Sequence, residues 1–353
     1  MKNKHFLITV LLVLSIILAN IPITVYASIF DIAHKLFEQY TNKTEEQIYA
    51  MKLKDSKENL LAEIKSMDKE LSGSDKIAIL PHAMALVEKK DEFSQDEIIG
   101  LLNNKETEGM LEGALIRIYI GKNYDKNKLL EFIDNACIDL ESKESIVSLS
   151  DLSNDELKNI FYKNNSRIVI IAMKRLMVSD YKMAFDIALD TFMKDTDNIT
   201  DEKLLSSLLG IGEYYSRNDV NDEQKANIVE KMKKLFDTSK NELIKDNVIY
   251  SMARMKDFKI FKDIIENENV DIPLKISAIE RNLNLIINKI STNASSKDEI
   301  SCIEAAMKIH PILEVGEVLK KSIDNGLYKN NSTLLETIKY IENNGVKGVF
   351  KYE

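Results

Sequence analysis

From residue 28 to residue 343 the apolar side chains recur at spacings of three and four, and the strict alternation of a half-buried strand is hard to find. That period places one oily stripe along a helix and leaves the other faces polar. The chain offers few interruptions: 11 Gly and 4 Pro in 353 residues, against heavy use of Lys, Glu, Leu, Ile and Met. An all-α fold is therefore expected. With 44% apolar and 30% charged residues, the composition is that of a globular chain long enough for one large or two small domains.

The stripes come in pairs. Residues 247–267 read NVIYSMARMKDFKIFKDIIEN. Val248, Met252 and Met255 share one face, with Ile249 and Ala253 beside them, and Phe258, Phe261, Ile264 and Ile265 form a second stripe beyond a break at Lys256-Asp257. This is one helical hairpin. Residues 113–135 and 167–190 repeat the plan, with Tyr124 and Tyr181 standing where Phe258 stands. Two short helices cannot cover both stripes alone, so successive hairpins are expected to stack. Hairpin starts are placed near residues 73, 106, 142, 165, 200, 240, 272 and 311, at intervals of 23 to 40 residues.

Local signals mark the ends. Thr44…Gln47, Ser94…Glu97, Ser153…Glu156, Ser296…Glu299 and Thr333…Glu336 fit a capping box. Pro273 and Pro311 are expected at helix starts, and Asn325-Gly326 and Asn344-Gly345 at helix stops. Pro81 falls inside an apolar pattern and should kink or break its helix.

The organisation resembles HEAT or armadillo-type repeats, most visibly in KDNVIYSMARMKDFKIFKDIIENENVDIPLKISAIERNL. There Asp271-Ile272-Pro273, followed by Lys275, Ala278 and Leu283, is similar to the start of a HEAT unit's helix. Tetratricopeptide repeats are the rival, but their fixed 34-residue pattern of small and aromatic residues is not regularly present. The HEAT resemblance implies an α-solenoid, a right-handed superhelix of antiparallel helix pairs, with a binding role and no inherited catalytic residue. The expected organisation is a signal peptide over 1–27, an N-terminal helical cap over 28–72, the solenoid over 73–343 and a C-terminal tail over 344–353.

The signal peptide is read from Lys2 and Lys4, the apolar run Phe6–Leu18, and small residues at the −3 and −1 places of a cleavage site in Val25-Tyr26-Ala27. An uncleaved membrane anchor is the alternative. No Cys stands near residue 27 for lipid attachment, and VKGVFKYE carries no wall-sorting signal. The mature chain is thus expected to be secreted or loosely held at the cell surface. It would hold 46 Lys and Arg against 57 Asp and Glu, a net charge of −11. That disfavours nucleic acid and anionic membrane surfaces as general partners and points to a protein or envelope component with some basic surface.

No catalytic, cofactor-binding or metal-ligating set is expected. His34, His82 and His310 each stand alone in sequence, and no HExxH, G-x-S-x-G or G-x-x-x-x-G-K-[ST] motif occurs. Gly210-Ile211-Gly212 sits inside a helical pattern and is read as close helix packing. The acidic run Asp195-Thr196-Asp197-Asn198 lacks the Gly and the distal Glu of a calcium loop. Cys137 and Cys302 are both read as buried small hydrophobes, too far apart in a linear stack for a disulfide. Of the aromatics, Tyr214 and Tyr215 are adjacent and cannot both face inward, so one of them is a candidate partner contact. The expected function is a non-enzymatic protein-binding scaffold at or outside the bacterial envelope. An α/α-toroid hydrolase of wall polysaccharide is the alternative, disfavoured by the lack of Trp for stacking sugars.

Overall fold

The computed structural model describes residues 44–71, 73–104, 107, 109–194, 199–217, 222–256, 258–291, 296–328 and 331–347. The expected signal peptide, the segment 28–43 with His34, and the acidic run 195–198 lie outside the described residues.

The fold is all-α. Among the described residues there are nineteen α-helices. They are α1 (Glu45–Lys52), α2 (Lys57–Glu70), α3 (Leu80–Glu88), α4 (Gln95–Leu102), α5 (Gly109–Gly121), α6 (Lys126–Asp134), α7 (Leu140–Leu149), α8 (Asn154–Lys163), α9 (Ile168–Ser179) and α10 (Tyr181–Met193). The series continues with α11 (Asp201–Arg217), α12 (Asp222–Thr238), α13 (Glu242–Arg254), α14 (Phe258–Glu266), α15 (Ile272–Arg281), α16 (Leu283–Ser291), α17 (Lys297–Ile309), α18 (Leu313–Asp324) and α19 (Ser332–Asn344). Two 3-10 segments, Gly73–Ile79 and Lys90–Glu92, flank α3. No helix among the described residues is long and apolar enough to cross a membrane.

The chain divides into two compact units, Met1–Ile160 with Ser166–Ala172, and Phe161–Asn165 with Met173–Glu353. Within the first, α1 packs on α3, α3 on α5 and α5 on α7. Within the second, α11 packs on α13, α13 on α15, α15 on α17 and α17 on α19. In each unit a helix therefore rests on the helix two ahead of it. The core follows the same order, with Leu60, Ile64, Ile79, Leu86, Ile98, Tyr119 and Phe132 fully buried in the first unit. Phe192, Leu208, Ile211, Val248, Phe261, Ile286 and Ile341 are fully buried in the second. Burying such a side chain stabilises by roughly 1.5–3 kcal/mol, which is what one short helix alone lacks.

Most helix starts are explained by one side chain. Thr44 and Ser296 form complete capping boxes with Gln47 and Glu299. Ser153 and Glu156 exchange the same two bonds, and Ser94 caps through the Glu97 amide. Pro273 lies in the first turn of α15. Pro81 does so in α3, where the 3-10 segment gives way to α-helix. Gly326, at φ 87°, ends α18: its amide reaches the Ile323 carbonyl and that of Leu327 reaches Ser322, a Schellman closure.

Three expectations need correction. The last helix is capped by Asn331, which accepts from the Leu334 amide, and not by Thr333. Pro311 lies in the link before α18, where its carbonyl accepts from the Val346 amide and Ile312 bridges to Val346. Gly345 stops α19 as expected, in extended backbone, at a place where a Cβ would sit 2.5 Å from the Ile341 carbonyl oxygen. The interval drawn from 272 to 311 consequently holds three helices. The start placed near 311 falls just before α18, which packs on α19, so α17 stands as an extra helix between two hairpins.

Candidate functional site

Helix α11 sets the geometry of the second unit because two of its glycines admit neighbours at close range. A Cβ on Gly210 would lie 2.8 Å from Ala188 Cβ of α10, and one on Gly212 would lie 3.0 Å from Ser251 Cα of α13. The expected close packing at Gly210-Ile211-Gly212 is thus present, with one glycine serving each neighbour. Ser251 locks the approach by donating to the Leu208 carbonyl at 2.7 Å.

That approach brings a polar stripe on successive helices into register. On α13, Asp246, Tyr250 and Arg254 stand four residues apart and so share one face. The Tyr250 hydroxyl donates to Glu213 Oε1 of α11 at 2.8 Å. It accepts from Arg254 Nη2 at 3.1 Å, and the same nitrogen lies 3.0 Å from Glu213 Oε1. Burial pushes the Tyr250 hydroxyl above the ordinary tyrosine range; Arg254 opposes the rise and Glu213 adds to it. Tyr250 therefore stays a neutral donor at physiological pH. On α15, Ser277 and Arg281 repeat the four-residue spacing, and both bond to Asp246. The Arg254 and Arg281 guanidinium carbons stand 5.3 Å and 5.2 Å from the Tyr250 ring centre. Glu280 of α15 reaches His310, the residue closing α17, at 3.2 Å. Polar pairs thus link α11 to α13 and α13 to α15, and a separate pair links α15 to α17.

Beside this stripe lies an open cleft of about 480 Å³, within the roughly 300–1,000 Å³ of ligand-sized clefts. Tyr250, Arg254, Lys256, Arg281, Asn284 and Asn288 line it, with Leu283, Leu285 and Ala253 as apolar floor. Asn284 and Asn288 are exposed, one turn apart on α16, and their amides have no partner among the described residues.

The residues singled out from sequence lie elsewhere on α10 and α11. Tyr215 is buried, its hydroxyl pushed up to about 12 by burial. Tyr214 is half-buried and stacks on Phe185 at 3.8 Å, with Tyr181 6.1 Å away. Of the hairpin aromatics, Phe258 is buried, Tyr124 bonds the Phe93 carbonyl, and Tyr181 is exposed under the Arg217 guanidinium. His82 is buried in α3, its pKa lowered first by burial and then by Lys52, with Glu63 3.7 Å away. His310 is not alone, since it pairs with Glu280.

Both thiols are free. Cys302 is buried and pushed up to about 12 by burial, whereas Cys137 is exposed, which corrects the expectation that both are buried. Cys137 sits in the link between α6 and α7, its amide bonded to the Asn135 side chain, so no helix carries it inward. Among the described residues no group of three or more His, Cys, Asp or Glu is placed to hold a metal ion.

The first unit holds the most perturbed acid. Glu112 of α5 is fully buried. Its Oε1 accepts from the Asp139 amide at the start of α7 at 3.0 Å, and its Oε2 has no hydrogen-bond partner. Burial pushes this carboxyl up to about 7; the Ser142 hydroxyl and Asp139 amide oppose the rise, and the Asp139 charge adds to it.

No family model, curated protein or solved structure matches this chain.

Proposed function

We propose that the chain is an exported, non-enzymatic scaffold that holds a partner polypeptide along the polar stripe of α11, α13, α15 and α17, at or outside the bacterial envelope. The observation that carries this reading is the stripe's extent. Four alternate helices contribute: Glu213, Tyr250, Arg254, Asp246 and Arg281 form one linked network over α11, α13 and α15, and the Glu280–His310 pair carries polar contact on to α17. An open cleft runs beside it. A core needs no such row, and helices that pack only for stability carry apolar contacts there instead. Stacked helix pairs present extended binding surfaces of this kind. The two-ahead packing within each unit supports the HEAT-like solenoid reading, and the leader-like residues 1–27 support export.

A photo-reactive residue placed at Asn284 or Ser216, in cells that produce the protein, tests the face. Adducts from these positions and none from the exposed Glu266 of α14 are expected. Equal adducts from all three, or none from the cleft, overturn the proposal.

A further inference from the structure

The residues that line the cleft beside Tyr250 include more cations than acids, the reverse of the chain as a whole. The whole sequence carries −9, yet the charged residues lining the cleft are Arg254, Lys256 and Arg281 against Glu280 alone. That one acid is engaged by His310. The acids that hold the two guanidiniums, Glu213 and Asp246, are not among the lining residues. Each guanidinium is therefore tethered through some of its N–H groups and oriented before any ligand arrives. An arginine has five donors in a rigid fork that matches a carboxylate, and a carboxylate entering the cleft meets guanidiniums already held in place. Lys256 stands exposed in the α13–α14 turn, with no partner for its ammonium among the described residues.

We propose that this cleft takes an acidic stretch of polypeptide, with carboxylate side chains on Arg254, Arg281 and Lys256. This deepens the binding role proposed above and rests on it. The remaining lining distinguishes a peptide from an anionic sugar or phosphate polymer. Asn284 and Asn288 each offer a donor and an acceptor, the complement of a peptide group, whereas a polyphosphate has no N–H to give. Leu283, Leu285 and Ala253 provide the apolar contact that a polypeptide uses and a highly charged polymer does not. Both guanidiniums pack against the Tyr250 ring and are held by acids behind it, so the site reads carboxylates at set positions rather than bulk negative charge.

The test is a titration of the purified full chain with three fluorescent peptides of equal length, rich in Glu, in Lys or in Gly-Ser, and with linear polyphosphate. The Glu-rich peptide should bind, and binding should weaken as salt rises. Asn284→Asp and Asn288→Asp put a like charge into the cleft without removing any bond. Each should weaken binding about tenfold while circular dichroism and melting temperature stay unchanged. Tight binding of the Lys-rich or Gly-Ser peptide with the same response to the variants overturns the acidic assignment and leaves the binding face standing. Tighter binding of polyphosphate overturns the polypeptide assignment. Binding of none of the four overturns both this inference and the proposed role of the cleft.

Discussion

Replacing Glu112 by Gln should make the protein more stable above neutral pH and leave it nearly unchanged in acid. The buried carboxyl titrates near 7 when folded and at its ordinary value of 4.5 when unfolded. Below 4.5 both states hold the proton and the carboxyl carries no penalty. Between 4.5 and 7 only the folded state holds it, so stability falls as pH rises. Above 7 the full penalty is present. A shift of that size corresponds to about 3 kcal/mol, at roughly 1.36 kcal/mol per pH unit. Glutamine keeps the oxygen that accepts from the Asp139 amide and does not ionise. Urea unfolding of both proteins from pH 4 to 8.5 should give curves that nearly meet at pH 4 and separate by up to about 3 kcal/mol at pH 8.5. Burial also raises Glu144 and Glu304, but both remain in the variant, so they cancel in the difference. A difference that does not change with pH would refute the reasoning.

Further outcomes follow from single positions. Gly210→Ala forces a methyl against Ala188 and should lower stability by about 1–3 kcal/mol. Gly113→Ala, with open space around its Cβ on α5, should raise stability by about 0.5–1 kcal/mol; thermal melts of the pair check both. Gly326→Ala strains the left-handed closure of α18 and should cost about 1 kcal/mol, read in the same melts. With a thiol reagent such as DTNB the native protein should release one equivalent rapidly, from Cys137, and a second only after denaturation exposes Cys302.

The helical class and much of the helix spacing were legible in the sequence because each helix carries its own stripe and often its own cap. The starts placed near 106, 142, 165, 200, 240 and 272 fall within three residues of α5, α7, α9, α11, α13 and α15. The slip came where two cues conflicted. Pro311 marked the approach to the α18–α19 hairpin, but the reading by pairs left no place for α17, although Ser296 already marked that helix. The polar stripe was harder to see. On α13 the apolar residues dominate, and Asp246, Tyr250 and Arg254 look like ordinary solvent-facing positions until α11 and α15 are laid against them. The signal was the four-residue spacing repeated by Ser277 and Arg281 one hairpin later. The pairing of Glu213 with Tyr250 depends on the close approach of α11 and α13 that Gly212 allows, and that of Asp246 with Arg281 on the packing of α15 against α13; neither partner can be read from a single sequence.

Hydrogen–deuterium exchange of the purified chain, with and without the Glu-rich peptide, tests most directly whether the face built by α11, α13, α15 and α17 is the working surface. New protection should be confined to segments within 201–217, 242–256 and 272–291. Protection confined to segments between 44 and 160, with none around Tyr250 and Arg281, would contradict the account.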